Sequence, residues 1–354
     1  MIDVFNMRDS GVTITKGLAI IFVVLCHSQC PDVILRTFPI FAMPIFFFMS
    51  GYCFKEKYLN ETWTFAKKRV VGIYWPYVKW SLLFLLLHNV FFYLNIYSDE
   101  YGFQGRVSAL YTVSDYLQHA LSIVTKMSGH EQLLGGYWFL KLLFFGSFFF
   151  FFTVKLLRGS AWGLVLLLTL TVCLSFFDLS VPYFKIGTRE CFAAFFIYVG
   201  YLYKSHQLSW HRSPWLWCIA VLLVAFVPQT WFTTMHTYQY WKVLPTAITA
   251  TLAVLTVFYF CQRIAENSDG GVVKFLIFTG DHTMEVLTWH FLSLKIVSLL
   301  IIALYALPHK QMSEFPVIES YARCGWWLAY SIVGVAVPLV GTYIYHRIKE
   351  KCRK

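Results

Sequence analysis

Residues 136–157 read GYWFLKLLFFGSFFFFFTVKLL, and this run decides the fold. It is almost continuously apolar, with one lysine near each end. A strand of a membrane barrel would alternate apolar and polar residues along its length, and this stretch does not. Its 22 residues instead match the roughly 20 that a helix needs to cross the hydrocarbon layer.

The rest of the chain repeats that pattern. Apolar runs at 12–29, 38–54, 72–94, 161–178, 189–203, 214–232, 243–262, 284–306 and 325–346 bring the predicted total to about ten transmembrane helices. Composition agrees: 58% hydrophobic, 20% aromatic and 13% charged, with mean hydropathy +0.60. Water-soluble domains carry about 25% charged residues, so this sequence lacks the polar side chains to cover a surface facing water. The fold class expected is all-α, as a single polytopic membrane domain over 1–354. No internal repeat is evident, and the longest segment between spans, 95–135, includes DYLQHALSIVTKM, whose helical periodicity fits a helix lying on the membrane surface.

Charge sets an expected orientation. With an even number of spans and the N-terminus inside, the inner segments hold 18 of the 29 lysines and arginines and the outer segments 8. That bias places both termini in the cytoplasm. The net charge of +11 is then explained by topology and anionic lipid, without nucleic acid. No cysteine or histidine spacing suits a metal, and no phosphate-binding loop, dinucleotide fingerprint or Gly-Xaa-Ser-Xaa-Gly elbow is present.

Ionisable residues inside spans are costly, so each is a functional candidate. In the first span, Lys16 and His27 are eleven residues apart, almost three whole turns. They share a helix face and stand about 16 Å apart along its axis. A cation at one end and a titratable base at the other suit a charged donor whose reactive arm reaches inward. The same two residues also fit an anchoring lysine and an interfacial histidine. Basic residues Lys67, Lys68 and Arg69 cluster directly ahead of the third run. Asp32, five residues past His27, fits a group that orients or polarises it and fits equally an outer-loop carboxylate in water. Further candidates are Trp138 and Lys141 in the fourth run, Arg189 and Glu190 opening the sixth, and Glu285 and His290 in the ninth. Asp281, His282 and Glu285 share one helix face. His119, His130, His206, His211, His236, His309 and His346 are scattered and read as surface residues.

The run KGLAIIFVVLCHS (16–28) followed by FPIFAMPIFFFMSGYCF (38–54) resembles the start of the membrane acyltransferase-3 family, integral-membrane enzymes that O-acylate polysaccharides and related acceptors. Its motif of a basic residue, ten residues and a catalytic histidine is filled here by Lys16 and His27. KKRVVGIYWPYV (67–78), YWFLKLLFF (137–145), FFIYVGYLYK (195–204) and TGDHTMEVLTWHF (279–291) continue the likeness in order. Where the family commonly has a second arginine one turn after Arg69, this chain has Gly72 and Ile73, and Lys67 or Lys68 is expected to supply that charge.

The resemblance implies transfer of an acyl group, with acetyl ahead of succinyl, from acyl-CoA to a hydroxyl of a cell-surface carbohydrate or lipid-linked glycan precursor. It implies an inner (plasma) membrane location, His27 as general base or acyl carrier, Lys16, Lys67, Lys68 and Arg69 as the donor-binding set, and no bound cofactor besides the acyl-CoA co-substrate. The competing readings are a transporter or flippase for lipid-linked glycan, whose His and Lys bind without chemistry, and an inactive acyl-CoA-binding subunit.

Overall fold

The computed structural model describes residues 10–101, 107, 109–206, 215, 218–220, 222, 239–266 and 270–352. It is 81% helical with 1% strand, and the all-α expectation holds. Among the described residues six helical segments are long and apolar enough to cross a membrane: Ser10–His27, Asp32–Tyr52, Gln132–Leu157, Tyr240–Ala265, Thr283–Tyr305 and Glu319–Lys351. The predicted span at 214–232 falls almost wholly outside the described residues. The one at 161–178 is a helix of 15 residues, Trp162–Phe176.

The described chain groups into two compact units. The first takes residues 1–19, 36–73 and 139–281. It holds the start of α1 (Ser10–His27), most of α2 (Asp32–Tyr52), α3 (Thr62–Arg69) and nearly all of α7 (Trp138–Leu157). It continues with α8 (Trp162–Phe176), a short antiparallel hairpin pairing Ser180 with Gly187, and α9 (Thr188–Ser205). Helices α10 (Tyr240–Ala265) and α11 (Gly271–Asp281) complete it.

Two glycine crossings fix this unit. A Cβ on Gly51 would collide with the carbonyl of Ile197, and one on Gly200 with that of Phe48, so α2 and α9 touch backbone to backbone. Gly17 on α1 and Gly280 on α11 make the same kind of contact through the carbonyls of Leu276 and Thr13. Lipid tails are as apolar as leucine, so helices in a membrane gain little from hiding apolar side chains from each other. Close packing through small residues supplies the attraction instead. Gly51, near the end of the run 38–54, therefore serves packing.

The second unit takes residues 20–35, 74–138 and 282–354. It contains the histidine end of α1, α4 (Trp75–Leu86), α5 (His88–Tyr93), α6 (Val113–Lys126), α12 (Thr283–Tyr305) and α13 (Trp327–Lys351). Helices α12 and α13 pack along each other, with Gly334 against Val24 and Leu294. The amphipathic segment in the long connection is α6, as its periodicity predicts. It starts at a capping box between Thr112 and Asp115 and docks on α4, where the Tyr74 hydroxyl donates to the Val124 carbonyl at 2.7 Å.

The expected single span over 72–94 is corrected. A π-helical turn at Val70–Tyr74 feeds into Trp75-Pro76, and the helix then breaks at Leu87 (φ −86°, ψ 0°) before α5 begins. Proline has no N–H to continue a regular turn. At the break, the next residue, His88, is wholly buried and bonded to Glu131 at 2.9 Å. The start of α2 is also earlier than expected. It begins at Asp32, six residues before the predicted span, and its carboxylate favours the positive end of the helix dipole.

Candidate active site

Helix α1 ends at His27, and Gln29 takes a left-handed conformation (φ +55°) before Pro31. That termination holds the imidazole at the helix end, half-buried. Its ring centroid lies 4.6 Å from Phe291 and 5.5 Å from His290. His290 and Phe291 are successive residues of α12, their rings 4.0 Å apart, and Phe315 stacks beyond Phe291 at 4.7 Å.

His290 is fully buried, and its Nδ1 lies 3.0 Å from the Val286 carbonyl and 2.9 Å from that of Leu287. Carbonyls only accept, so Nδ1 carries the proton and Nε2 presents a lone pair. That Nε2 is buried with no hydrogen-bond partner. A buried polar atom left unpaired is costly.

The wall behind these rings is the Gly135-Gly136 pair. A Cβ on Gly135 would press on Phe291, and one on Gly136 on Leu287. The next residue, Tyr137, bonds the Thr288 hydroxyl at 2.8 Å and packs on Tyr77, 5.7 Å away. Sequence reasoning passed over Phe291 and this glycine pair. The signal available was the double glycine directly ahead of Tyr137-Trp138-Phe139.

His27, Asp32, Trp138, Glu285 and His290 all belong to the second unit. The structure brings His27 and His290 together. Asp32 is exposed at the first residue of α2, and Trp138 is half-buried at the first residue of α7. Glu285 lies half-buried in the first turn of α12, five residues from His290.

Lys16, Lys67, Lys68, Arg69, Lys141, Arg189 and Glu190 belong to the first unit. Lys16 is half-buried on α1. Lys67, Lys68 and Arg69 form the last turn of α3, where cations complement the negative end of the helix dipole. Lys68 bonds the Tyr58 hydroxyl at 2.5 Å, and the Arg69 guanidinium stands 5.0 Å over the Phe65 ring. Burial pushes Arg69 down to about 10, so it remains charged at neutral pH.

Lys141 donates to the Phe184 carbonyl at 2.6 Å, pinning the hairpin before α9. Glu190 is buried and accepts from the Gly187 backbone N–H at 2.8 Å, closing the start of α9. Lys141 also lies within electrostatic reach of Glu190 and Arg189. These three therefore have local structural partners.

Of the histidines expected at the surface, His206, His309 and His346 are exposed, and His119 and His130 are half-buried beside aromatic neighbours. His119 stacks on Tyr111 at 4.7 Å, and Tyr111 stacks on buried His88 at 3.4 Å. The Nδ1 of His130 sits 3.4 Å from the Tyr77 hydroxyl. His211 and His236 lie outside the described residues. Among the described residues, no group of three or more His, Cys, Asp or Glu could hold a metal ion.

A family model described as an acyltransferase domain matches residues 9–346, nearly the whole chain. The chain belongs to the acyltransferase-3 family. No curated protein and no solved structure gives a significant match. Membership makes the chain an acyltransferase of the membrane, in agreement with its apolar helices. Within the family motif, the histidine end of α1 is the end that meets α12, and the lysine end is the one that crosses α11.

Proposed function

We propose that this protein transfers an acyl group, acetyl first among the candidates, from acyl-CoA to a hydroxyl of a cell-surface carbohydrate or lipid-linked glycan precursor at the inner (plasma) membrane. The observation that carries this reading is the pairing of His27 with a buried, tautomer-fixed His290 in a chain of acyltransferase family.

In this reading His27 takes the proton from the acceptor hydroxyl. The oxygen attacks the thioester carbonyl, the new C–O bond forms as the C–S bond breaks, and the leaving CoA thiolate recovers the proton from the imidazolium. Histidine suits both steps because its ordinary pKa is close to neutral. A covalent acyl-histidine on His27 is the other route to the same products, and a quench of the reaction that traps acyl-enzyme separates the two. Lys16 and the Lys67–Lys68–Arg69 turn supply the cations for the CoA phosphates, as guanidinium and ammonium groups commonly do.

The test is purified full-length protein in detergent, given labelled acetyl-CoA and membrane glycolipid extract. Label moving to the glycan fraction, and lost with His27→Ala, supports the reading. Binding of glycolipid without any consumption of acetyl-CoA or other acyl-CoA favours the transporter.

A further inference from the structure

The reaction as written above employs His27 and leaves the second imidazole of the pair without a task. His290 is wholly buried, and it turns its Nδ1–H back onto its own helix, 3.0 Å from the Val286 carbonyl and 2.9 Å from that of Leu287. Nε2 lies on the ring edge remote from the backbone, so its lone pair is directed off α12. Glycine at 136 keeps the flank of that edge clear. A Cβ there would stand 3.9 Å from Cε1, the carbon next to Nε2, and 2.9 Å from the Leu287 side chain. Nothing in the described protein satisfies Nε2. The Phe291 ring, 4.0 Å away between centroids, has no polar hydrogen to offer, and His27 is outside bonding distance of Nε2.

Counting hydrogens then limits the acceptor. His27, as the base, takes the hydrogen of the hydroxyl that is acylated. His290 holds a second lone pair that needs a hydrogen of its own. A hydroxyl has a single hydrogen, so one hydroxyl cannot serve both rings. Two hydroxyls on neighbouring carbons can, because their oxygens stand about one hydrogen-bond length apart. A bent path from nitrogen to oxygen to oxygen to nitrogen fits between imidazoles whose centroids are 5.5 Å apart.

We propose that His290 positions the acceptor by accepting, at Nε2, a hydrogen bond from a second hydroxyl on the carbon next to the one acylated. The substrate class is then a vicinal diol of a sugar ring. This rests on the proposed function, with His27 as the base.

The test is steady-state kinetics of purified full-length protein with labelled acetyl-CoA and membrane glycolipid extract, joined to location of the acetyl group on the wild-type product by NMR. The acetyl group is expected on a ring hydroxyl that has a free hydroxyl on an adjacent carbon. His290→Phe keeps a ring and removes Nε2. It should raise the acceptor KM about ten-fold, the scale of one lost hydrogen bond at a buried site, while the acyl-CoA KM and the melting temperature stay close to wild type. An interaction made equally in the bound and transition states acts on KM alone. His290→Gln offers an amide oxygen near the place of Nε2 and should hold the acceptor KM within a few-fold. Acetyl on a hydroxyl without a neighbouring hydroxyl, such as a primary one at C6, overturns the proposal. An unchanged acceptor KM in His290→Phe does the same, and if the pH profile of kcat moves instead, His290 acts through His27 and not on the acceptor. Absence of any acetyl transfer by the wild type defeats the proposed function itself, and this inference with it. Should His290→Phe fail to fold, the position of the acetyl group decides the matter alone.

Discussion

Replacing His27 with phenylalanine separates its chemistry from its packing. The imidazole makes two ring contacts, with Phe291 at 4.6 Å and His290 at 5.5 Å. Aromatic pairs contribute about 0.5–1.5 kcal/mol each, so His27→Ala removes about 1–3 kcal/mol of packing along with the base. His27→Phe keeps a ring at that position and removes only the titratable nitrogens. General bases contribute about 10²- to 10⁴-fold in rate. The expected result is a purified His27→Phe protein that melts within a few degrees of wild type but transfers labelled acetyl groups at least about 100-fold more slowly. His27→Ala should lose both activity and some thermal stability. Initial rates and melting temperatures are measured on the same detergent preparations. A phenylalanine variant active within a few-fold of wild type would refute the catalytic role of His27, whatever its stability.

Lys16→Ala and Arg69→Ala are each expected to weaken acyl-CoA binding by several-fold in equilibrium measurements on purified protein, while Lys16→Arg retains most of it; unchanged affinity in both alanine variants places the donor elsewhere. Gly51→Leu and Gly280→Leu should yield little folded protein by size-exclusion chromatography, because each side chain would meet a backbone carbonyl of the facing helix. A Gly280→Leu protein as monodisperse as wild type would contradict that close crossing. The fully buried His88–Glu131 pair gives a fourth expectation. Glu131→Ala should cost about 3–5 kcal/mol, as breaking a buried ion pair does. Glu131→Gln should cost much less, since its amide can donate to Nδ1 while Nε2–H still reaches the Ala109 carbonyl. Equal melting temperatures for all three proteins would show that the pair holds nothing.

Helix type was legible because long apolar runs have one solution in lipid, where every backbone N–H and C=O must be satisfied within the segment. The first predicted span, 12–29, differs from Ser10–His27 by two residues at each end. Failures came where a local run is governed by a distant residue. The break at Leu87 is invisible in WPYVKWSLLFLLLHNVFFY, since what buries the next residue, His88, is a carboxylate 43 positions away. His27 stood out as a candidate from its spacing to Lys16, but its neighbour Phe291 looked like one more aromatic among 35 phenylalanines.

The hydrogen bonds that set the His290 tautomer run to carbonyls three and four residues earlier in its own helix. Its proton location is therefore written into a single turn of chain and requires no second helix to hold it. Such a turn is portable. Residues around it can be exchanged while Nε2 stays bare and the imidazole keeps its aim. Under the proposed function, an engineer seeking a different acceptor would leave 286–291 untouched and vary the walls that face it.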